Sequence, residues 1–585
     1  MLAPDYLDRL PEPVLELFRQ VEEDILADMA RRISKMGAVT ETADWQRWRL
    51  EQMELTRSDI TQRLEKLTGL TQQELRKLFQ EAATQAIQAD NEIYRAAGLS
   101  PGSPNDSPEL LQLLNGGMQQ TSGTFRNLTR TTANTATQQF ERALDRAWLQ
   151  VSSGAFNYQS DIRMAIKSLA SAGMQAIQYP TGHIDTLEVA VRRAVLTGVG
   201  KTTGEICLAH AEEMSCDLME ITAHPGARPS HMVWQGKIVS LSGQKGYLSK
   251  SDIGYGTGDG FKGWNCRHDW FPYFEGLSES AYPREKLREY ENQTVTFGGK
   301  TLSYYDATQQ QRYIERQIRR WKREYLMMNA AGQDTTQASM KLAQWRAAEK
   351  DFCKQTGLDR DSFRSQVEGF GRSQASRATW EAKKQQAIID RFTQRMESNG
   401  YHVLGFSDYV GDARTLEEMQ STFEKIATLY PDEAKGLTIS LTYTDDPDTL
   451  GWFDPKTGRI HFSREQFKNW EAAQKEYEDL VKVGFFPKGT DLRGCFYHEF
   501  GHSFSYKHGW KSYRKTVDQA LEGLGYGHMS VSLRESALRK ELSKYATSET
   551  NPQYQEVIAE CFSEWYTSDE PRKFCELFLR KVGAL

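Results

Sequence analysis

The chain lacks any apolar run approaching the ~20 residues a membrane-spanning helix needs, so no membrane role is expected. Cysteine is sparse: 7 in 585 residues, with no framework spacing. That excludes a disulfide scaffold and suits a chain made in a reducing cytoplasm. The first residues, Met1-Leu2-Ala3-Pro4-Asp5-Tyr6-Leu7-Asp8, lack the basic segment and apolar core of a secretory signal. No repeat of fixed period is present. Neither sign of charge dominates: 73 Lys and Arg against 79 Asp and Glu leave a net charge of −6, which argues against a protein that coats nucleic acid. The length exceeds what one core supports and implies several domains.

Histidine is also scarce, at 11 residues, so its clustering is informative. His498-Glu499-Phe500-Gly501-His502 is an H-E-x-x-H pentapeptide. On a helix, histidines at i and i+4 share one face and can bind one zinc, while the glutamate between them reaches a water at the metal as general base. Thr490 or Asp491 is the expected N-cap, and Gly509 the expected left-handed stop. Gly501 costs about 1 kcal/mol relative to Ala in a helix interior, so a close backbone approach is expected there. Downstream, Glu556, Glu560 and Glu564 fall on one face of a second, mostly apolar helix. Buried acids of that kind call for partners or a metal, although a solvated stripe has the same spacing.

With Ser543, Tyr545 and Ala546 before it, this pattern resembles the lethal-factor-like gluzincin metalloproteases over roughly residues 430–585. The resemblance implies that His498, His502 and Glu556 hold Zn2+ and that Glu499 is the general base. It implies further that Glu560 orients a histidine ligand and that the Tyr545 hydroxyl stabilises the oxyanion. The stretch from Tyr545 to Glu556 is longer than in that family, which leaves Tyr554 and His528 as alternative donors. Upstream, residues 437–443 alternate as a strand, and 451–453 with 459–462 form a hairpin about the turn Asp454–Gly458. An antiparallel edge strand there could bind extended peptide by strand addition. His461, alone in a strand, is expected to be an ordinary surface or core residue.

The N-terminal part reads as helices over Pro13–Met36, Asp44–Leu67 and Gln72–Ala97, then a linker over Leu99–Gly117. A second helical stretch follows over 124–222, broken near Gly154 and around Pro180-Thr181-Gly182. Two nucleotide-binding lookalikes are discounted as loops. Gly198-Val199-Gly200-Lys201-Thr202 has Val195 where a P-loop's first glycine belongs, and Gly258-Asp259-Gly260-Phe261-Lys262-Gly263 is not followed by a helix start.

Three further blocks stand out: His224–Lys237, Gly263-Trp264-Asn265-Cys266-Arg267-His268, and the helix from Tyr304 through Arg323. Together they resemble the minor capsid protein 2 family of tailed phages, related to Mu F-type head proteins, over roughly residues 1–375. The resemblance implies a structural role at the portal vertex, with portal and capsid proteins as partners. His224, His231, Cys266 and His268 are candidates for a structural metal site, though a metal-free hydrogen-bonded core fits the same spacing. The basic run Arg312–Arg323 is a candidate for contact with packaged DNA, or else a partly solvated amphipathic helix.

The expected fold is multidomain α+β. A helical docking region spans 1–120, a small α+β capsid-type domain 121–375, a helical linker and domain start 376–429, and a zincin-like α+β domain 430–585, with the capsid–protease boundary near 375–395. The expected function is a phage minor capsid protein carrying a zinc peptidase, located in the virion, acting on a peptide or protein substrate in the head or after delivery into the host. The alternatives are a purely structural protein with an inactive zincin fold, or a polymorphic toxin using a phage head module.

Overall fold

A computed structural model describes residues 1–36, 42–102, 107–153, 158–446, 448–527, 529–548 and 553–585. The architecture is multidomain α+β, in two compact units, Met1–Thr379 and Trp380–Leu585.

The first unit is built on long helices: α1 (Glu12–Ser34), α2 (Thr42–Ala96), α3 (Pro108–Ser153), α4 (Tyr158–Ala172) and α5 (Leu187–Glu213). α2 runs on through Gly69, where two helices were expected, because a lone Gly lowers helix stability without stopping the helix. α3 starts at Pro108, inside the expected linker, since Pro is well tolerated in a first turn. The break expected near Gly154 lies outside the described residues. α3 and α5 touch at glycines: a Cβ on Gly117 would meet the Thr202 side chain at 1.9 Å, and one on Gly198 would meet Thr121 Oγ1 at 2.3 Å. The P-loop lookalike is therefore the middle of α5 and not a loop, and its glycine serves helix packing. The segments expected to part at residue 120 lie in this one unit.

The unit also holds a four-stranded sheet of β1 (Leu218–Ile221), β2 (Ile238–Ser240), β3 (Leu248–Ser249) and β4 (Trp270–Tyr273), in the order β3-β2-β1-β4. α6 (Tyr304–Ala330) and α7 (Thr336–Thr356) follow. The C-terminal part of the basic run on α6 is turned inward. Arg319 pairs with Glu188 at 2.9 Å, Arg323 with Glu23 at 2.8 Å, and Lys322 donates to Ser365 O at 2.6 Å. Ile314, Ile318 and Trp321 are buried beside them. These three cations are committed to internal partners, whereas Arg316 of the same run is exposed.

The division between the units falls inside α8 (Arg372–Ser398). The second unit carries a four-stranded sheet of β5 (His402–Leu404), β6 (Thr438–Thr442), β7 (Gly451–Asp454) and β8 (Arg459–Ser463), in the order β7-β8-β6-β5. β5 and α9 (Ala413–Leu429) are part of this unit, so the segment 376–429, expected as a helical linker and domain start, supplies a strand and a core helix of the unit. β5, β6 and β8 run parallel, and β7 is the antiparallel edge. The turn before β8 is set by Asp454, whose carboxylate accepts from the Lys456 amide at 2.9 Å and from Thr457 Oγ1 at 2.7 Å, with Gly458 at φ +66°.

α10 (Trp470–Lys482), α11 (Arg493–Lys507) and α12 (Arg514–Glu522) come next, then α13 (Val531–Glu541), α14 (Gln555–Thr567) and α15 (Lys573–Lys581). α11 is buried on both sides: Phe496 packs on Phe462 of β8 and Phe423 of α9, while Phe500 and Phe504 pack on Phe562 of α14. Among the described residues, no helix is long and apolar enough to cross a membrane.

Candidate metal centre

α11 starts at Arg493 behind Leu492, one residue later than an Asp491 cap would set it and two later than a Thr490 cap. Thr490 does not cap it and instead donates to Pro487 O at 2.8 Å, while the Asp491 carboxylate accepts from the Arg493 amide at 2.9 Å. The helix ends as expected, with Gly509 at φ +69°. Its contact with α14 turns on Gly501, where a Cβ would lie 2.8 Å from the Ala559 Cα. The helices can cross this closely only because Gly501 has no side chain, and the crossing brings Glu556 up to both histidines.

The result is a triangle of donor atoms. His498 Nε2 and His502 Nε2 are 3.2 Å apart, and Glu556 Oε2 lies 3.3 Å from each. Ligands at the ≈ 2.0–2.1 Å of a tetrahedral zinc stand about 3.3 Å from one another, so the triangle has the edge length of one face of that tetrahedron. His498 Nδ1 donates to Glu560 Oε1 at 2.9 Å, and Ser543 Oγ donates to Glu560 Oε2 at 2.6 Å. That pairing keeps the proton on Nδ1 and turns the Nε2 lone pair toward the triangle. Glu564, third in the acidic stripe, pairs with Arg572 at 2.6 Å. Each acid thus has its own partner, and none is a solvated stripe.

The charges at the triangle are strongly coupled. Burial alone would lower the His498 pKa, yet Glu556 and Glu560 hold it well above the ordinary value. Burial alone would raise Glu556, yet the two imidazoles hold its carboxyl well below the usual range. Glu499 is raised, first by burial and then by Glu556. Its Oε2 is buried with no hydrogen-bond partner among the described residues. An orphaned carboxylate oxygen beside a donor triangle fits a base waiting for a water, and the residues present fit zinc.

Glu499, His498 and Tyr545 line a cleft of about 870 Å³. Tyr545 is held by its amide, which donates to Phe485 O at 3.0 Å, and its ring centroid lies 5.6 Å from that of His498. Burial, then the nearby Glu556 and Glu499, pushes its hydroxyl pKa up. Tyr554 is instead buried beneath Arg534, outside the cleft lining, and His528 lies outside the described residues. His461 stacks on Trp452 and bonds Thr442 Oγ1 at 3.0 Å, away from the donor triangle. The Ser463 amide donates to Leu450 O at 2.8 Å, so the alternate residues Gly451 and Phe453 of β7 turn their backbone groups outward. The Phe453 amide acts on Glu499, which places this edge at the centre.

In the first unit, His231, Cys266 and His268 come together, and His224 does not join them. The His224 ring stacks on His268 with centroids 4.7 Å apart, and its Nδ1 donates to Pro225 O at 2.9 Å. Burial brings the pKa of both His224 and His231 down to about 4 and lowers that of His268 well below its ordinary value.

Residues 2–354 match the family model described as Phage minor capsid protein 2. The chain belongs to the phage minor capsid protein 2 family. It is 28% identical over 196 residues to a structural protein of Lactococcus phage LL-H, covering 32% of this chain and 50% of that relative. It is 33% identical over 97 residues to a structural protein of Lactococcus phage mv4, covering 17% and 70%. The chain therefore spans about half the length of the first of these relatives. No solved structure matches it. The match ends at residue 354, so the donor triangle lies in a unit of this minor capsid protein that the family model does not reach. Sequence reasoning missed Phe485 and Phe486, which wall the cleft, and Gln235, which bonds His268. No local pattern marks residues whose role comes from contacts distant in sequence.

Proposed function

We propose that this phage structural protein carries a zinc-dependent peptidase in its second unit, with His498, His502 and Glu556 as ligands. The observation that carries the reading is the 3.2–3.3 Å donor triangle beside the buried, unpartnered Glu499 Oε2. A zinc held there would activate a water and polarise a scissile carbonyl. Glu499 accepts the proton at Oε2 and can return it to the leaving amine, a role suited to a carboxyl whose pKa burial has raised. Glu560 fixes the His498 tautomer, and Tyr545 offers its hydroxyl to the developing oxyanion. The outward backbone groups of β7 other than the Phe453 amide, which serves Glu499, hold an extended peptide by strand addition. The family membership carried by the first unit supports a position among other phage head proteins, where the substrate would be met in the particle or after entry into the host.

The test is digestion of a mixed peptide library by the full chain and by Glu499→Gln, read by mass spectrometry together with zinc content. The reading expects cleavage by the wild type only, with zinc retained in both. Equal cleavage by both proteins would remove Glu499 as the base. Zinc without cleavage in either would favour the structural alternative, an inactive zincin fold.

A further inference from the structure

We infer that His231, Cys266 and His268 form a second zinc site, which fastens the Gly-rich segment 254–266 to the helical turn Pro229–Met232 in the first unit. The three donor atoms come from two stretches of chain and are all buried. His231 Nδ1 and His268 Nδ1 are 3.4 Å apart, and Cys266 Sγ lies 3.6 Å from His268 Nδ1 and 4.0 Å from His231 Nδ1. A tetrahedral zinc with one sulfur at ≈ 2.3 Å and two nitrogens at ≈ 2.0–2.1 Å sets nitrogens about 3.3 Å apart and nitrogen from sulfur about 3.5 Å. Two of the three edges meet those values closely, and the third is within about half an ångström.

The far side of each imidazole decides the matter further. His231 Nε2 faces the Asp259 carbonyl at 2.9 Å, and His268 Nε2 faces Gln235 Oε1 at 3.2 Å. Gln235 Oε1 also accepts from the His224 amide at 3.2 Å, which fixes it as an acceptor. Both Nε2 atoms must therefore carry the proton, which leaves both Nδ1 atoms as lone pairs aimed at each other. One thiol proton can satisfy only one of them. A cation between them satisfies both, and the carbonyl partners supply the outer bonds that metal-binding histidines use. One thiolate with two imidazoles selects zinc over magnesium or calcium, with a solvent molecule left for the fourth position.

The loop that delivers the sulfur is costly to build. Lys262 and Asn265 have φ of +59° and +54°, and a Cβ on Gly260 or Gly263 would meet backbone oxygen at 2.1 or 2.4 Å. Conformations of this kind persist where surrounding interactions over-determine them, and a metal tie is one such interaction. The G-x-G-x-x-G lookalike is thus a tightly wound ligand loop.

The test uses the full chain purified with zinc and, separately, with Co2+ in its place. His498→Ala/His502→Ala protein should keep one zinc per chain, so this result does not depend on the peptidase reading. Its cobalt form should show thiolate-to-cobalt charge-transfer absorption, which the sulfur-free His498/His502/Glu556 site cannot give. Adding Cys266→Ser should abolish that band and the remaining zinc. Should that variant fail to fold, the band and the zinc in its parent still decide. Absence of zinc from the parent, absence of the band, or a band that survives Cys266→Ser in folded protein would each overturn the assignment.

Discussion

Gly501 is where one missing side chain matters most. In an isolated helix Gly501→Ala would gain about 1 kcal/mol of propensity. Here the new methyl meets the Ala559 backbone at 2.8 Å, and overpacking of that kind costs about 1–3 kcal/mol. The expected outcome is a lower melting temperature together with weakened zinc binding, because separating α11 from α14 moves Glu556 away from the histidines. Calorimetry and a chelator competition check it. Glu560→Gln should leave the fold intact and weaken zinc about 10–100-fold, the usual cost of losing a partner that orients a metal-binding histidine. Tyr545→Phe should lower turnover about 10²–10³-fold at unchanged zinc content, since it removes a hydroxyl and keeps the ring. Unaltered turnover would remove Tyr545 from the oxyanion role.

At the scale of elements, β7 is the only strand of its sheet that reaches the cleft, through Gly451, among the described residues. Peptide substrates methylated at a single backbone nitrogen that pairs with β7 should lose about tenfold in kcat/KM, the worth of one hydrogen bond. A scan of N-methylated peptides reads this directly, and uniform tolerance of methylation would argue against strand addition. The hairpin and both site helices were legible because each carries a local signal: Asp454 and Gly458 at the turn, Gly509 at the stop, and histidines and glutamates at helical spacing. What stayed hidden depended on distant partners. α2 reads as two helices because Gly69 resembles a break, and Gly198 resembles part of a loop until Thr121 is seen against it. The inward turn of Arg319 and Arg323 is set by Glu188 and Glu23, which no reading of the basic run alone can supply.

For the molecule as a whole, the family match and the donor triangle fall in different units. A chain ending at Thr379 is expected to enter phage heads, and mass spectrometry of purified particles checks it; its absence would give the second unit a part in assembly. The most direct test of the central claim is the zinc content of full-length Glu556→Ala and His498→Ala proteins against the wild type and Glu499→Gln. The account predicts that each ligand variant loses one equivalent of zinc while Glu499→Gln loses none. Zinc unchanged in both ligand variants would contradict it.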